Sequence, residues 1–226
     1  MNPQALEFFE REILISSEEY LGKAVFPRNI GGQDVGAYLL VTFDANTQDA
    51  IDALVEQAAE LVVEAGAMDV LVADTPAKMK DAWAARSSFL EGIEEQTKLL
   101  DECDVVVPVT QIAKFLGYVE SLEETVGLKV RSFGHAGDGN LHVYTCSVDM
   151  EMDAFVKQVD QFMRKLYAKT TELGGQISGE HGIGTAKIKW LEQETSHGTI
   201  MFSRRLRKAF DPKGLFNPSK IVGFGD

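Results

Sequence analysis

The sequence predicts an α+β fold: an antiparallel sheet with helices on one side, followed by a helical C-terminal segment. Three observations carry that expectation. Periodic stretches alternate as strand–helix–strand and then strand–helix–strand–strand, which suits two split βαβ halves of the ferredoxin-like kind. Gly137-Asp138-Gly139 joins the last two strands, a hairpin signal that implies antiparallel pairing. The glycines of GHAGDGNLH lie between strands, whereas a dinucleotide-binding fingerprint places them between a strand and a helix.

The elements follow in order. Residues 37–43 form the first clear strand, and residues 47–65 a helix with Ile51, Leu54, Val55, Ala58, Leu61 and Val62 on one stripe. Gly66 stands where a left-handed residue ends a helix. Residues 68–72 read as a buried strand, and residues 76–89 as a helix carrying Trp83 and Arg86. Residues 104–107 are a strand stopped by Pro108, and Thr110 is a candidate cap for a helix through Ile112, Phe115, Leu116, Val119 and Leu122. Strands at 129–133 and 141–146 flank the Gly-rich turn. A long helix at 153–173 keeps Phe155, Val159, Phe162, Leu166 and Thr170 in register and ends at Gly174-Gly175. Shorter helices are expected around 187–192 and 202–210.

The chain of 226 residues is 45% hydrophobic and 25% charged, enough for one large domain with a real core or two small ones. A net charge of −13 repels phosphate backbones and anionic lipid, which argues against nucleic acid as a partner. No apolar run reaches the length of a membrane span, and the charged MNPQALEFFEREI does not read as a secretory signal. With Cys103 and Cys146 outside any CxxC pair, reduced thiols in a cytoplasmic protein are expected.

The chemistry concentrates in two Gly-rich segments. They hold His135, His142 and His181, three of four histidines; the fourth, His197, sits in a polar, loop-like stretch. On the hairpin reading His135 and His142 lie on opposite arms near one turn, and Glu180 comes from a separate turn. Two imidazoles and a carboxylate are a ligand set for a divalent transition metal with an open position. The same residues also fit plain turn chemistry with hydrogen-bonded histidines. Arg86 near Trp83 suits capture of a carboxylate, but taken alone reads first as a surface arginine or an ion pair with Asp81 or Glu91. Asp138, Asn140 and Asn217 read first as turn formers.

GHAGDGNLH, SGEHGIG, the Trp83-x-x-Arg86 pair, DVVVP at 104–108 and the closing FDPKGLFNPSKI occur in one order. Together they resemble the C-terminal domain of FAD-linked oxidases of the vanillyl-alcohol oxidase type, in the glycolate oxidase and D-lactate dehydrogenase branch, over residues 3–222 and with 1–226 as a single domain. The resemblance implies a substrate-binding domain that covers a flavin held mainly by an N-terminal domain not found in this sequence. It implies His135, His142 and Glu180 as ligands to zinc, or in some members manganese or iron. It implies His181 as general base, Arg86 as the binder of the substrate carboxylate, and Asn140 and Asn217 as positions near substrate and flavin.

A small 2-hydroxy acid is thus the expected substrate, a flavin-binding domain or subunit the expected partner, and an electron-transfer protein a further one. Without the flavin domain the chain is expected to be inactive, whether cut from a longer protein or made by a split gene. Glu102 and Cys103 stand where branches that oxidise a dicarboxylate often carry Lys, and Tyr144 where they often carry Asn, so a monocarboxylate such as lactate or glycolate is favoured. Ser219 replaces a Gly common in the closing motif, a minor departure. Two alternatives stand beside this: a non-catalytic assembly module that keeps the fold, and a metal-dependent hydrolase using the same His–His–Glu set.

Overall fold

A computed structural model describes residues 1–222. Strand β1 (Ala5–Glu10) runs directly into helix α1 (Arg11–Leu21), which Gly22 ends in the left-handed conformation. A two-strand ribbon, β2 (Asn29–Ile30) and β3 (Gln33–Asp34), leads to strand β4 (Ala37–Thr42). Helix α2 (Gln48–Glu64) is capped by Thr47, whose hydroxyl accepts from the Ala50 N–H. Helices α3 (Pro76–Ser87) and α4 (Phe89–Gln96) precede strand β5 (Leu99–Val106), a 3-10 turn (Val109–Gln111) and helix α5 (Ile112–Val126). Strands β6 (Lys129–His135) and β7 (Asn140–Ser147) form the hairpin. Helices α6 (Met152–Glu172), α7 (Ile188–Glu194) and α8 (His197–Phe210) complete the order.

Among the described residues the main sheet has five strands in the order β4-β1-β6-β7-β5, every pair antiparallel. A bridge between Val106 and Gln176 continues it past β5. The segment from β5 through α5, the hairpin and α6 to Gln176 therefore has the strand order of a split βαβ unit. The α+β class and antiparallel sheet expected from the sequence are what the fold shows.

Helices lie on both faces of the sheet, not on one side. Every residue of β7 is buried, so neither face of that strand can be left to water. Leu141 and Val143 join Cys103, Val105 and Val130 in a core packed by α5 and α6, with Phe115, Val119, Phe162 and Leu166. Their neighbours Tyr144 and Cys146 point the other way, into a cluster with Phe9, Phe133, Ile13, Leu14 and Phe89 from α1 and α4. Cys103 and Cys146 thus sit on opposite faces, each a free buried thiol.

Other expectations change for identifiable reasons. Residues 68–72 form no strand, and Met68, Leu71 and Val72 are exposed. An apolar run reads as buried, but burial needs a neighbour, and the preceding α2 itself has no buried residue. Strand β1 and helix α1 escape a periodicity reading because no turn residue separates them. The helix expected over 76–89 is two helices that meet at Ser88. Thr110 does not cap α5: it lies inside the 3-10 turn, which starts with Gln111 N–H donating to the Pro108 carbonyl. His197 is an exposed first residue of α8, capped by Ser196, and not part of a loop. No helix among the described residues is long and apolar enough to cross a membrane.

Candidate metal and substrate site

One sheet face carries the strand-borne polar groups Glu7, Glu102, Asp104, His135 and His142, and strand parity puts them there. In β6 and β7, His135 and His142 share a face with Phe133 and Tyr144. The register pairs Glu7 of β1 with His135, and Asp104 of β5 with His142. Helices α1, α3 and α4 cover the aromatic part of this face, and the polar part stays open at the Gly-rich end. Gly139 shapes that end: it has φ +76°, and a Cβ there would lie 2.0 Å from the Val107 carbonyl oxygen. A glycine is required on both counts.

His135, His142 and Glu180 come together, with one ligand atom from each lying within 4.8 Å of the others. His135 Nε2 is 3.4 Å and His142 Nε2 3.2 Å from the same oxygen, Glu180 Oε1. The opposite ring nitrogens face other carboxylates, His135 Nδ1 at 2.8 Å from Glu7 Oε1 and His142 Nδ1 at 3.2 Å from Glu102 Oε1. A carboxylate only accepts, and the shorter contact favours hydrogen on His135 Nδ1, while His142 has a carboxylate at 3.2 Å on each side; with hydrogen on each Nδ1, each Nε2 carries a lone pair toward Glu180. Three acceptors then face one another and repel unless a proton or a cation lies among them. An N,N,O donor set of this kind fits a divalent metal. Glu180 is half exposed, which leaves one side open to a further ligand.

His181 adjoins this group. Its Nδ1 is 3.1 Å from the same Glu102 Oε1, and its ring centre 5.0 Å from that of His142. Glu102, His142 and His181 therefore form a second triad that shares His142 with the first. Burial works against the charge on Glu102. The hydrogen bond with His142 and the field of His181 outweigh it and hold the carboxyl below its ordinary range.

The loop that carries Glu180 and His181 is pinned from below. Asp104 Oδ2 accepts three successive backbone N–H groups, Gly179 at 2.8 Å, Glu180 at 2.7 Å and His181 at 2.9 Å. The other oxygen of Asp104 takes the buried Lys187 ammonium, which also donates to the Asp104 carbonyl at 2.8 Å. Desolvation opposes ionisation of Asp104, but Lys187 and the backbone donors prevail and hold its pKa at about 2. Beside this anchor a cleft of about 300 Å³ is lined by Glu102, Asp104, His181, Ile183, Thr185 and Lys187.

Arg86, in the last turn of α3, reaches the same face. Its Nε donates to Glu7 Oε2 at 2.8 Å and its Nη2 lies 2.8 Å from the same oxygen, so its partner is Glu7 and neither Asp81 nor Glu91. The guanidinium stacks over Phe133 and Phe89, at 5.0 and 5.4 Å, not over Trp83, which is 38% exposed.

Comparison with known proteins follows from these motifs. The family model for FAD linked oxidases, C-terminal domain, matches residues 1–221. The chain belongs to this family. It is 55% identical over 219 residues to a D-lactate dehydrogenase of Anaerostipes hadrus, covering 97% of this chain and 46% of that protein. It is 30% identical over 221 residues to the glycolate oxidase subunit GlcD of Bacillus subtilis, covering 97% of this chain and 45% of the relative. The chain thus spans about half the length of the curated relatives it matches. Among solved structures, p-cresol methylhydroxylase with substrate bound superposes with a TM-score of 0.66 at 10% identity, covering 98% of this chain and 47% of that one. At that identity the likeness establishes the fold alone.

Not every expected residue of this FAD-linked oxidase C-terminal domain joins the cluster. Asn140 is the first residue of β7 and no turn former; it is buried against Gly179, and its Oδ1 has no hydrogen-bond partner among the described residues. Asn217 lies in the exposed tail at φ 44°, with its carbonyl taken by Arg207 and Lys220, and no contact joins it to the histidines among the described residues. The tail does reach the loop through Ile221 N–H and the Gly184 carbonyl, at 2.8 Å. Tyr144 stacks on Phe133 at 5.5 Å and belongs to the aromatic cluster. Sequence reasoning missed Glu7 and the anchoring role of Asp104. The only local signal for Glu7 was its parity with Phe9; for Asp104 it was an acid opening an otherwise apolar strand.

Proposed function

We propose that the chain is the substrate- and metal-binding part of a flavin-dependent 2-hydroxy-acid dehydrogenase or oxidase acting on a small monocarboxylate, lactate or glycolate. The observation that carries the reading is the convergence of His135 Nε2, His142 Nε2 and Glu180 Oε1 beside His181 and Arg86. His135, His142 and Glu180 would hold the metal, zinc in the first instance. A bound metal would supply a Lewis acid for the substrate hydroxyl, and a bound flavin would supply the acceptor for the Cα hydride. The flavin would be carried mainly by a separate domain or subunit, in keeping with relatives twice as long as this chain.

The rest of the work falls to the chain's own side chains. Arg86 Nη1, unpaired among the described residues, is left to meet the substrate carboxylate, while Glu7 fixes the other side of the guanidinium. His181, with Nδ1 held by Glu102, presents Nε2 to take the hydroxyl proton. Asp104 keeps the loop of Glu180 and His181 from drifting. Lys187 compensates Asp104, so Glu102 is the one uncompensated carboxylate among the cleft's lining residues and disfavours a second substrate carboxylate beside it, and the cleft volume suits a small acid.

The test combines purified chain with the flavin-carrying half of the Anaerostipes hadrus relative and follows dye reduction. D-lactate or glycolate is expected to support turnover and 2-hydroxyglutarate is not; chelation is expected to abolish it and His181→Ala to lower it at least ~100-fold. Turnover indifferent to His181→Ala, or protein that takes up no metal, would overturn the reading.

A further inference from the structure

The two ring nitrogens turned away from Glu180 are each held by a carboxylate from a different strand. Glu7 Oε1 is 2.8 Å from His135 Nδ1, and the same side chain receives Nε and Nη2 of Arg86 on its other oxygen. Glu102 Oε1 is 3.2 Å from His142 Nδ1 and 3.1 Å from His181 Nδ1. Each carboxylate thus touches one imidazole of the ligand pair and one group on the substrate side of the site. Neither is a surface ornament: Glu7 is 5% exposed, and the Glu102 side chain is 29% exposed with one oxygen shared by both rings.

We infer that Glu7 and Glu102 are positioning residues that lock His135, His142 and His181 in the Nδ1–H tautomer and tie each metal ligand to a substrate-handling group, Arg86 through Glu7 and His181 through Glu102. This rests on the proposed metal site. The physical basis is directional: an acceptor at Nδ1 puts the hydrogen there, turns the Nε2 lone pair inward, and fixes the ring plane. A shared carboxylate also makes the positions of its two partners depend on each other. When His142 moves to engage a cation, Glu102 carries His181 with it; His135 and Arg86 are linked through Glu7 in the same way. On this assignment Glu102 is an outer partner, although the triad with His142 and His181 is close enough to take an ion itself.

The first readout needs neither metal nor activity. Long-range proton–nitrogen spectra of the full chain, metal-free and at alkaline pH, are expected to show His135, His142 and His181 as Nδ1–H tautomers. In Glu102→Leu the His142 and His181 signals are expected to shift to a mixture with Nε2–H while His135 keeps its pattern; Glu7→Gln is expected to disturb only His135. Zinc affinity by competition titration is expected to fall ~10–100-fold in either variant. Should Glu7→Gln fail to fold, the Glu102→Leu arm decides alone.

Nε2–H tautomers in the unmodified chain would overturn the inference, as would unchanged spectra and zinc affinity in Glu102→Leu. So would zinc binding that survives His135→Ala but is lost in His181→Ala, since Glu102 would then be an inner ligand. A chain with the expected tautomers that binds no zinc would instead defeat the proposed function and leave the tautomer assignment standing.

Discussion

Glu7 and His135 face each other across β1 and β6, with Oε1 and Nδ1 2.8 Å apart, and the second oxygen of Glu7 is occupied by Arg86. One buried carboxylate therefore compensates a guanidinium and an imidazole that arrive from a helix and a strand far apart in the chain. The Arg86 side chain is only 15% exposed, so losing its partner leaves a poorly hydrated cation. Glu7→Gln is expected to cost about 3 kcal/mol in urea unfolding. A double-mutant cycle with Arg86→Met should return a coupling of about 1–3 kcal/mol; strict additivity would show the pair to be independent.

Asp104 gives a prediction with a pH signature. Its folded pKa of about 2 lies below the ordinary 3.8, so its contribution is complete above the ordinary value and lost as pH falls through about 2. The gap corresponds to about 2 kcal/mol. Asp104→Asn strands Lys187 and weakens three loop anchors, and is expected to cost about 3 kcal/mol at neutral pH. Its stability should also change less than that of the unsubstituted chain between neutral pH and acid. A loss under about 1 kcal/mol would rule out the anchoring role.

Glu10 runs the other way. Burial, only partly offset by hydrogen bonds with Ser132, raises its pKa from 4.5 to about 7. The fold therefore favours the neutral acid, and stability is lost as pH rises through that window. Glu10→Gln keeps an acceptor for the Ser132 N–H and never charges. It is expected to stabilise the chain by about 1–3 kcal/mol near pH 8, with the advantage disappearing below about pH 4.5. Equal melting temperatures at both pH values would refute this.

Two glycines of the Gly-rich loop separate space from backbone strain. A Cβ on Gly179 would lie 2.2 Å from Asn140 Oδ1, whereas at Gly182, with φ +74°, nothing lies within 4 Å. Gly179→Ala is expected to displace the loop and lower zinc affinity more than tenfold, by analogy with lost outer-shell support. Gly182→Ala should cost about 1 kcal/mol of stability through its left-handed conformation and leave zinc affinity within about threefold. Similar zinc affinities for the two variants would contradict the packing account.

Much of this was readable locally. The hairpin needed only the turn residues between two apolar strands, and α6 needed only the spacing of Phe155, Val159, Phe162, Leu166 and Thr170, all of which are buried. His135, His142, Glu180 and His181 stood out because glycines mark places where backbone comes close to something. Residues 68–72 misled for the opposite reason: their apolarity is local, while the absence of a neighbour to bury them is not.

The sequence by itself determined the antiparallel hairpin, the periodic helices and the histidine-bearing turns, since each depends on residues within one or two turns of one another. Only the tertiary structure decided which carboxylates complete the site. Glu7 meets His135 across 128 positions, Asp104 meets His181 across 77, and Glu102 meets His142 across 40. The Glu7–His135 and Glu102–His142 contacts follow from strand order and register in β1, β6, β7 and β5, and the loop after α6 brings His181 to Asp104. A one-residue slip would send the strand-borne side chains to the opposite face.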